Sequence, residues 1–224
     1  MRYLKGFIFS LLVIASISAA AQTRHESEPY CDHKSAGKLQ IADADAIIIG
    51  LGIGQASLQD VQAKLGRAKI TRVSRDEESD VSVCYVSPTD GTVLVFYSGA
   101  MGGWTEITRF AVWSRAAAFP HASQCTPSKL VSWNIAAESG LHLGPTRQEI
   151  EKIAGKPRTS APASAKYEYV CRRKMTEAEI KSWKTGPNNW DVTKDPYFDR
   201  MSWMDVPYME SAASRIEIGK LESY

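Results

Sequence analysis

The sequence predicts an α+β fold of two tandem units, each a capped helix packed on a small antiparallel sheet. Three observations predict it. One series of elements runs twice: apolar strand, Gly, capped helix, Gly, strand with a cysteine, closing strand. Both helix starts have capping-box spacing. The runs between them are short, apolar and bounded by turn residues, as strands are.

Each series opens on a strand entering a turn. Ala46-Ile-Ile-Ile-Gly50 stands ahead of Leu51-Gly-Ile-Gly54, and Val131-Ser-Trp-Asn-Ile-Ala136 ahead of Leu141-His-Leu-Gly144. Helix starts follow at Ser57-x-x-Asp60 and Thr146-x-x-Glu149, where a hydroxyl meets an orphan amide and a carboxylate reaches back. Leu58, Val61 and Leu65 make one apolar face; Ile150, Ile153 and Ala154 make the other. Gly66 and Gly155 then end the helices, since glycine accepts the left-handed C-terminal position.

Strands come next. In the first unit they are Val81–Ser87, Thr92–Tyr97 and Ile107–Ser114, with Pro88-Thr-Asp-Gly91 as a hairpin turn. In the second, Lys166–Arg172 corresponds to the first of these, and Ser214-Arg-Ile-Glu-Ile218 to Thr108-Arg-Phe-Ala-Val112. The expected organisation is a signal peptide at 1–21, a first unit at 22–120 and a second at 121–224. The second unit carries an aromatic insert at about 174–213. Thr176-x-x-Glu179 opens a short helix there, which Gly186-Pro187 ends.

Leu141–Pro157, and more loosely Leu51–Ala68, resemble the repeat of the β-lactamase inhibitory protein and of the outer-membrane assembly lipoproteins of the SmpA/BamE type. The resemblance implies helices on one face of an antiparallel sheet and a scaffold that binds protein. It carries over no catalytic residues. The chain departs from the pattern in lacking a lipobox and in its long second-unit insert, so no target is inherited.

The N-terminus reads as an export signal. Arg2 and Lys5 precede an apolar Phe7–Ile17, and Ala19-Ala20-Ala21 offers small residues at the spacing a signal peptidase accepts, with cleavage before Gln22. The apolar run is shorter than the roughly 20 residues of a spanning helix, so no stable membrane anchor is expected after cleavage. The whole chain has 27 basic and 25 acidic side chains. Losing Arg2 and Lys5 balances them, which gives no basis for steering toward nucleic acid.

Cys31, Cys84, Cys125 and Cys171 form an even set without C-x-x-C, which favours disulfides over zinc in an exported chain. Four cysteines allow three pairings. The repeat predicts one bridge per unit, Cys31–Cys84 and Cys125–Cys171, each worth about 4 kcal/mol by loop closure. No metal or cofactor motif is present: Gly50-x-Gly52-x-Gly54 fails both dinucleotide and P-loop spacing, and neither H-E-x-x-H nor G-x-S-x-G occurs. His25, His33, His121 and His142 are scattered.

The units differ in two places. Ser98-Gly-Ala-Met-Gly-Gly-Trp104 puts Met101 and Trp104 on a Gly-rich loop. The insert holds Trp183, Trp190 and Trp203, half of the six tryptophans. Such aromatics either anchor a partner or fill a small core. Met101, Trp104 and Trp190 are the candidate partner-binding residues. The function expected is that of an exported, non-enzymatic protein that binds another protein, in envelope assembly or inhibition. A periplasmic enzyme without a local motif and a small-ligand-binding module are the alternatives.

Overall fold

Capping decides where the helices begin. The computed structural model describes residues 30–31, 41–75, 78–117, 119–185 and 192–223. The expected signal peptide, its cleavage point and Trp190 lie outside them. Helix α1 is Leu58–Leu65: Ser57 Oγ accepts from Asp60 N, and the Asp60 carboxylate accepts from Ser57 N at 2.8 Å. Helix α2 is Arg147–Ala154, with the same reciprocal bonds between Thr146 and Glu149. Gly66 and Gly155 end them at φ +100° and +84°, a backbone shape that side chains disfavour. Helix α3, Glu177–Thr185, starts on a third such box, Thr176 with Glu179.

The strands run in chain order. A short hairpin, β1 (Ile47–Ile48) with β2 (Leu51–Gly52), precedes α1. Then follow β3 (Thr71–Arg75), β4 (Glu78–Val86), β5 (Val93–Ser98), β6 (Arg109–Trp113) and β7 (Thr126–Pro127). After α2 come β8 (Thr159–Ala161), β9 (Ser164–Lys174), β10 (Tyr197–Met209), β11 (Ala212–Ala213) and β12 (Arg215–Ser223). The main sheet runs β3-β4-β5-β6-β12-β10-β9-β8 and is antiparallel throughout; β7 adds parallel to β4, and β11 pairs with β10. The two meanders join through β6 and β12, where Val112 faces Ile216 and Phe110 faces Ile218.

Both helices cover one face. Leu58, Val61 and Leu65 from α1, and Ile150 and Ala154 from α2, pack with Tyr85, Phe96, Phe110, Tyr167, Met204 and Ile218 in one continuous core. The two units expected at 22–120 and 121–224 therefore share a single sheet and a single helix-side core. Val131–Ala136, expected as a strand, is irregular, with a turn at Trp133 and Asn134 and isolated bridges at Ala136 and the following Ala137. Tyr197–Met209, inside the expected insert, is an interior strand of the sheet.

The disulfides correct the expected pairing. They are Cys31–Cys171 and Cys84–Cys125, with Cα atoms 5.0 and 4.8 Å apart. The strand order gives the reason. β4 and β9 lie five strand spacings apart, about 24 Å. Cys125 arrives beside β4, where Thr126 pairs with Tyr85. Cys31 arrives beside β9, where Tyr30 bridges Arg172 and Cys31 N donates to the Arg172 carbonyl. The segment ahead of each half is thus fastened to the other half, a swap that adjacency in sequence does not reveal.

Candidate functional site

Strand alternation gives the sheet a second face, opposite the helices. Over the first half this face is covered. Beyond β6 the chain turns back across it: Trp113 packs on Phe119 with ring centres 5.3 Å apart, and Cys125 bridges to Cys84. Beneath this cover Val93, Val95, Tyr97 and Ala111 are buried.

Over the second half the corresponding rows are open. Val170, Met201 and Leu221 are register partners on β9, β10 and β12, and Glu168, Trp203 and Gly219 form the next row. Met201 is 38% exposed, and none of Val170, Trp203 and Leu221 is buried. Gly219 has a steric reason to be glycine: a Cβ there would sit 2.1 Å from Trp203 Cζ2. The Trp203 ring therefore lies on bare backbone.

A ladder of ion pairs separates the two halves. Arg109 bonds Asp80 at 2.6 Å and reaches Glu217 at 3.2 Å; Arg215 pairs with Asp205. The Arg109 guanidinium lies 4.0 Å from the centre of the Tyr97 ring, and that of Arg215 4.8 Å from the Trp113 ring. Glu217 is only 7% exposed, and its two arginine neighbours offset the cost of burying its charge. Beside the ladder lies a shallow depression of about 330 Å³, bordered by Lys166, Glu168, Met201 and Trp203. One row beyond Val170 and Met201, Arg172 pairs with Asp195 at 2.5 Å and lies over Tyr197, whose ring meets Tyr30.

Met101 and Trp104 sit elsewhere. Their loop closes over the start of α1: Leu58 N donates to the Thr105 carbonyl and Ile107 N to that of Ala56. Met101 is 53% exposed and Trp104 40%. Trp104 holds φ +63°, with the Arg72 guanidinium 5.7 Å from its ring. Met101 borders a polar depression of about 370 Å³ that contains Lys220 and Asp43, 2.7 Å apart. The hydrogen bond and charge of Lys220 hold the Asp43 carboxyl below its usual range. Lys220 alternates with Gly219 along β12, so this depression and the Trp203 row lie on opposite faces.

The open row was missed in the sequence because residues 174–213 read as an insert. A signal was there. Met201-x-Trp203-x-Asp205 and Arg215-x-Glu217 repeat every second residue, the period of a strand with one distinctive face.

No family model matches the sequence, and no curated protein matches it. Among solved structures, the chain is similar to one from Streptococcus mutans described as a "putative beta-lactamase inhibitor protein". Identity is 9% and the TM-score 0.25, over 83% of this chain and 90% of that one. A likeness of that size carries no argument about function. Among the described residues, no helix is long and apolar enough to cross a membrane, and no cluster of His, Cys, Asp and Glu suits a metal ion.

Proposed function

We propose that this is an exported protein of two related halves that binds another protein through the open face of its second half. One observation carries the reading: Val170, Met201, Leu221 and Trp203 stand together on three strands while the equivalent face of the first half is covered. Apolar and aromatic groups gathered inside a charged border are what protein interfaces use at their centres. The border's arginines already hold carboxylates, which leaves the apolar strip, with Lys166 and Glu168 beside it, to meet a partner. Two disulfides support an oxidising location. Met101 and Trp104, both exposed, offer a second contact on the opposite side.

Capture from the native envelope fraction tests this. Met201→Lys and Trp203→Ala should each reduce recovery of the captured protein by tenfold or more, as interface anchors do. Met201→Lys should keep a near-wild-type melting temperature, because Met201 is 38% exposed and a lysine stem can lie along the same strip with its ammonium in water. Full recovery with both variants would remove this face from the reading. Loss confined to Trp104→Ala would move the contact to the α1 loop.

A further inference from the structure

The two disulfides are nested. Cys84–Cys125 spans 41 residues and lies inside Cys31–Cys171, which spans 140. The first cysteine is therefore joined to the last.

An unfolded chain does not favour that outcome. The chance that two residues meet falls with about the 3/2 power of their separation. By that rule Cys31 meets Cys84 about four times as often as it meets Cys171. Over all six possible first closures, roughly two-thirds join a wrong pair. Export from the N-terminus strengthens the bias, because Cys84 becomes available to Cys31 before Cys171 does; this last step rests on the export reading. A wrong Cys31–Cys84 bond is incompatible with the fold. Cys31 belongs beside β9 and Cys84 on β4, about 24 Å apart across the sheet, whereas bridged Cα atoms lie within about 7 Å.

We infer that maturation of this chain passes through disulfide exchange, and that it is a substrate of a dithiol isomerase, a protein presenting an accessible cysteine thiolate. Each initial disulfide forms by loss of two electrons and two protons to a disulfide oxidant. In a chain holding Cys31–Cys84 and Cys125–Cys171, the isomerase thiolate attacks Cys84 Sγ. That bond breaks, Cys31 leaves as thiolate, and Cys84 is held in a mixed disulfide. The Cys31 thiolate attacks Cys171 Sγ and expels Cys125 as thiolate. Cys125 attacks Cys84 Sγ and expels the isomerase thiolate. Two protein disulfides enter and two leave, so no electrons are transferred overall and the isomerase is regenerated.

The test is oxidative refolding of the full chain from the reduced, denatured state, with bonds mapped by peptide mass spectrometry. Diamide oxidises thiols pairwise and leaves no thiol behind. Diamide alone should leave the native pairs in about a third of the chains or fewer, by the same closure weights. Adding a reduced and oxidised glutathione mixture should then convert most chains to Cys31–Cys171 and Cys84–Cys125. Cys84→Ala/Cys125→Ala and Cys31→Ala/Cys171→Ala each keep one native pair and no wrong partner. Both should form their bond in diamide alone, and neither result depends on complete folding. Full native pairing of the wild type in diamide alone would overturn the inference, since folding would then guide oxidation unaided. Failure of glutathione to convert mispaired chains, or failure of both double variants in diamide, would overturn it too.

Discussion

The covered and the open halves of the second sheet face are built on the same pleat, yet their apolar rows meet different ends. Val93, Val95 and Ala111 are core; Val170 and Leu221 are half-buried and Met201 is exposed. The difference is one connection. Beyond β6 the chain recrosses its own sheet and is fastened there by Cys84–Cys125, while among the described residues nothing lies across Met201 and Trp203. Lys166 and Glu168 stand beside the open row on β9, and charges near a sheet edge discourage indiscriminate strand pairing. An apolar strip guarded in this way suits a selective contact.

The largest effect expected comes from unfastening the cover. Cys84→Ala opens a 41-residue loop, worth about 4 kcal/mol by chain entropy. The melting temperature should fall by roughly 8–16 °C for a chain of this size. Binding of a hydrophobic dye should rise below the melt, as Val93, Val95 and Tyr97 become accessible. A large drop without dye binding would mean that the cover stays in place unfastened, held by Trp113 and Phe119.

A smaller loss is expected within the open half. Gly219→Val forces side-chain carbons into the Trp203 ring, and overpacking of this kind costs about 1–3 kcal/mol. Tryptophan fluorescence should shift to longer wavelength as Trp203 is lifted into water. Unchanged emission and stability would show that the ring does not rest on that backbone. The strip would then be less ordered than the covered rows opposite.

Much of the α+β architecture was legible because its signals are local. Ser57 with Asp60 and Thr146 with Glu149 mark helix starts through bonds spanning three residues, and Gly66 and Gly155 mark the ends. The strand carrying Cys84 was likewise found as a short run bounded by turn residues, and that carrying Cys171 by its match to it in the repeated series. Two features were missed, and both rest on long-range placement. Pairing Cys31 with Cys171 depends on strand order, which no local pattern encodes. Assigning Trp203 to a surface row depends on recognising Tyr197–Met209 as an interior strand rather than an insert. Met101 and Trp104 were placed on a loop correctly, but that loop lies on the helix side, away from the row that the sheet leaves open.

Acid should weaken one turn of the covered half. Asp90, in the β4–β5 turn of the covered half, accepts from Thr92 N at 2.9 Å and from Trp133 N at 2.8 Å. Burial pushes its carboxyl up, but those bonds outweigh it and hold the pKa down to about 2, against an ordinary 3.8. A carboxylate depressed in the folded state contributes stability that is present above pH 3.8 and lost as pH falls through about 2. Asp90→Ala should cost about 1.5 kcal/mol at neutral pH, the lower range for bonds to a charged group. Urea melts from pH 6 down to pH 2 should show wild type and variant converging. A gap that stays constant would mean that Asp90 acts through turn geometry rather than charge.

The smallest effect is expected at Trp104, and its smallness is the informative part. The ring is 40% exposed and touches the guanidinium of Arg72, a cation–π contact worth about 0.5–1 kcal/mol at the surface. A buried tryptophan would cost about 3–5 kcal/mol on truncation to alanine. Trp104→Ala should therefore cost about 1 kcal/mol, well below the loss of a buried tryptophan. Trp104→Gly should match or exceed the alanine variant, because the residue holds φ +63°, where glycine carries no steric penalty. Chemical melts of the two variants side by side read both contributions. If alanine is the better replacement, the left-handed backbone is not retained without the ring, and Trp104 shapes its loop instead of standing free to meet a partner.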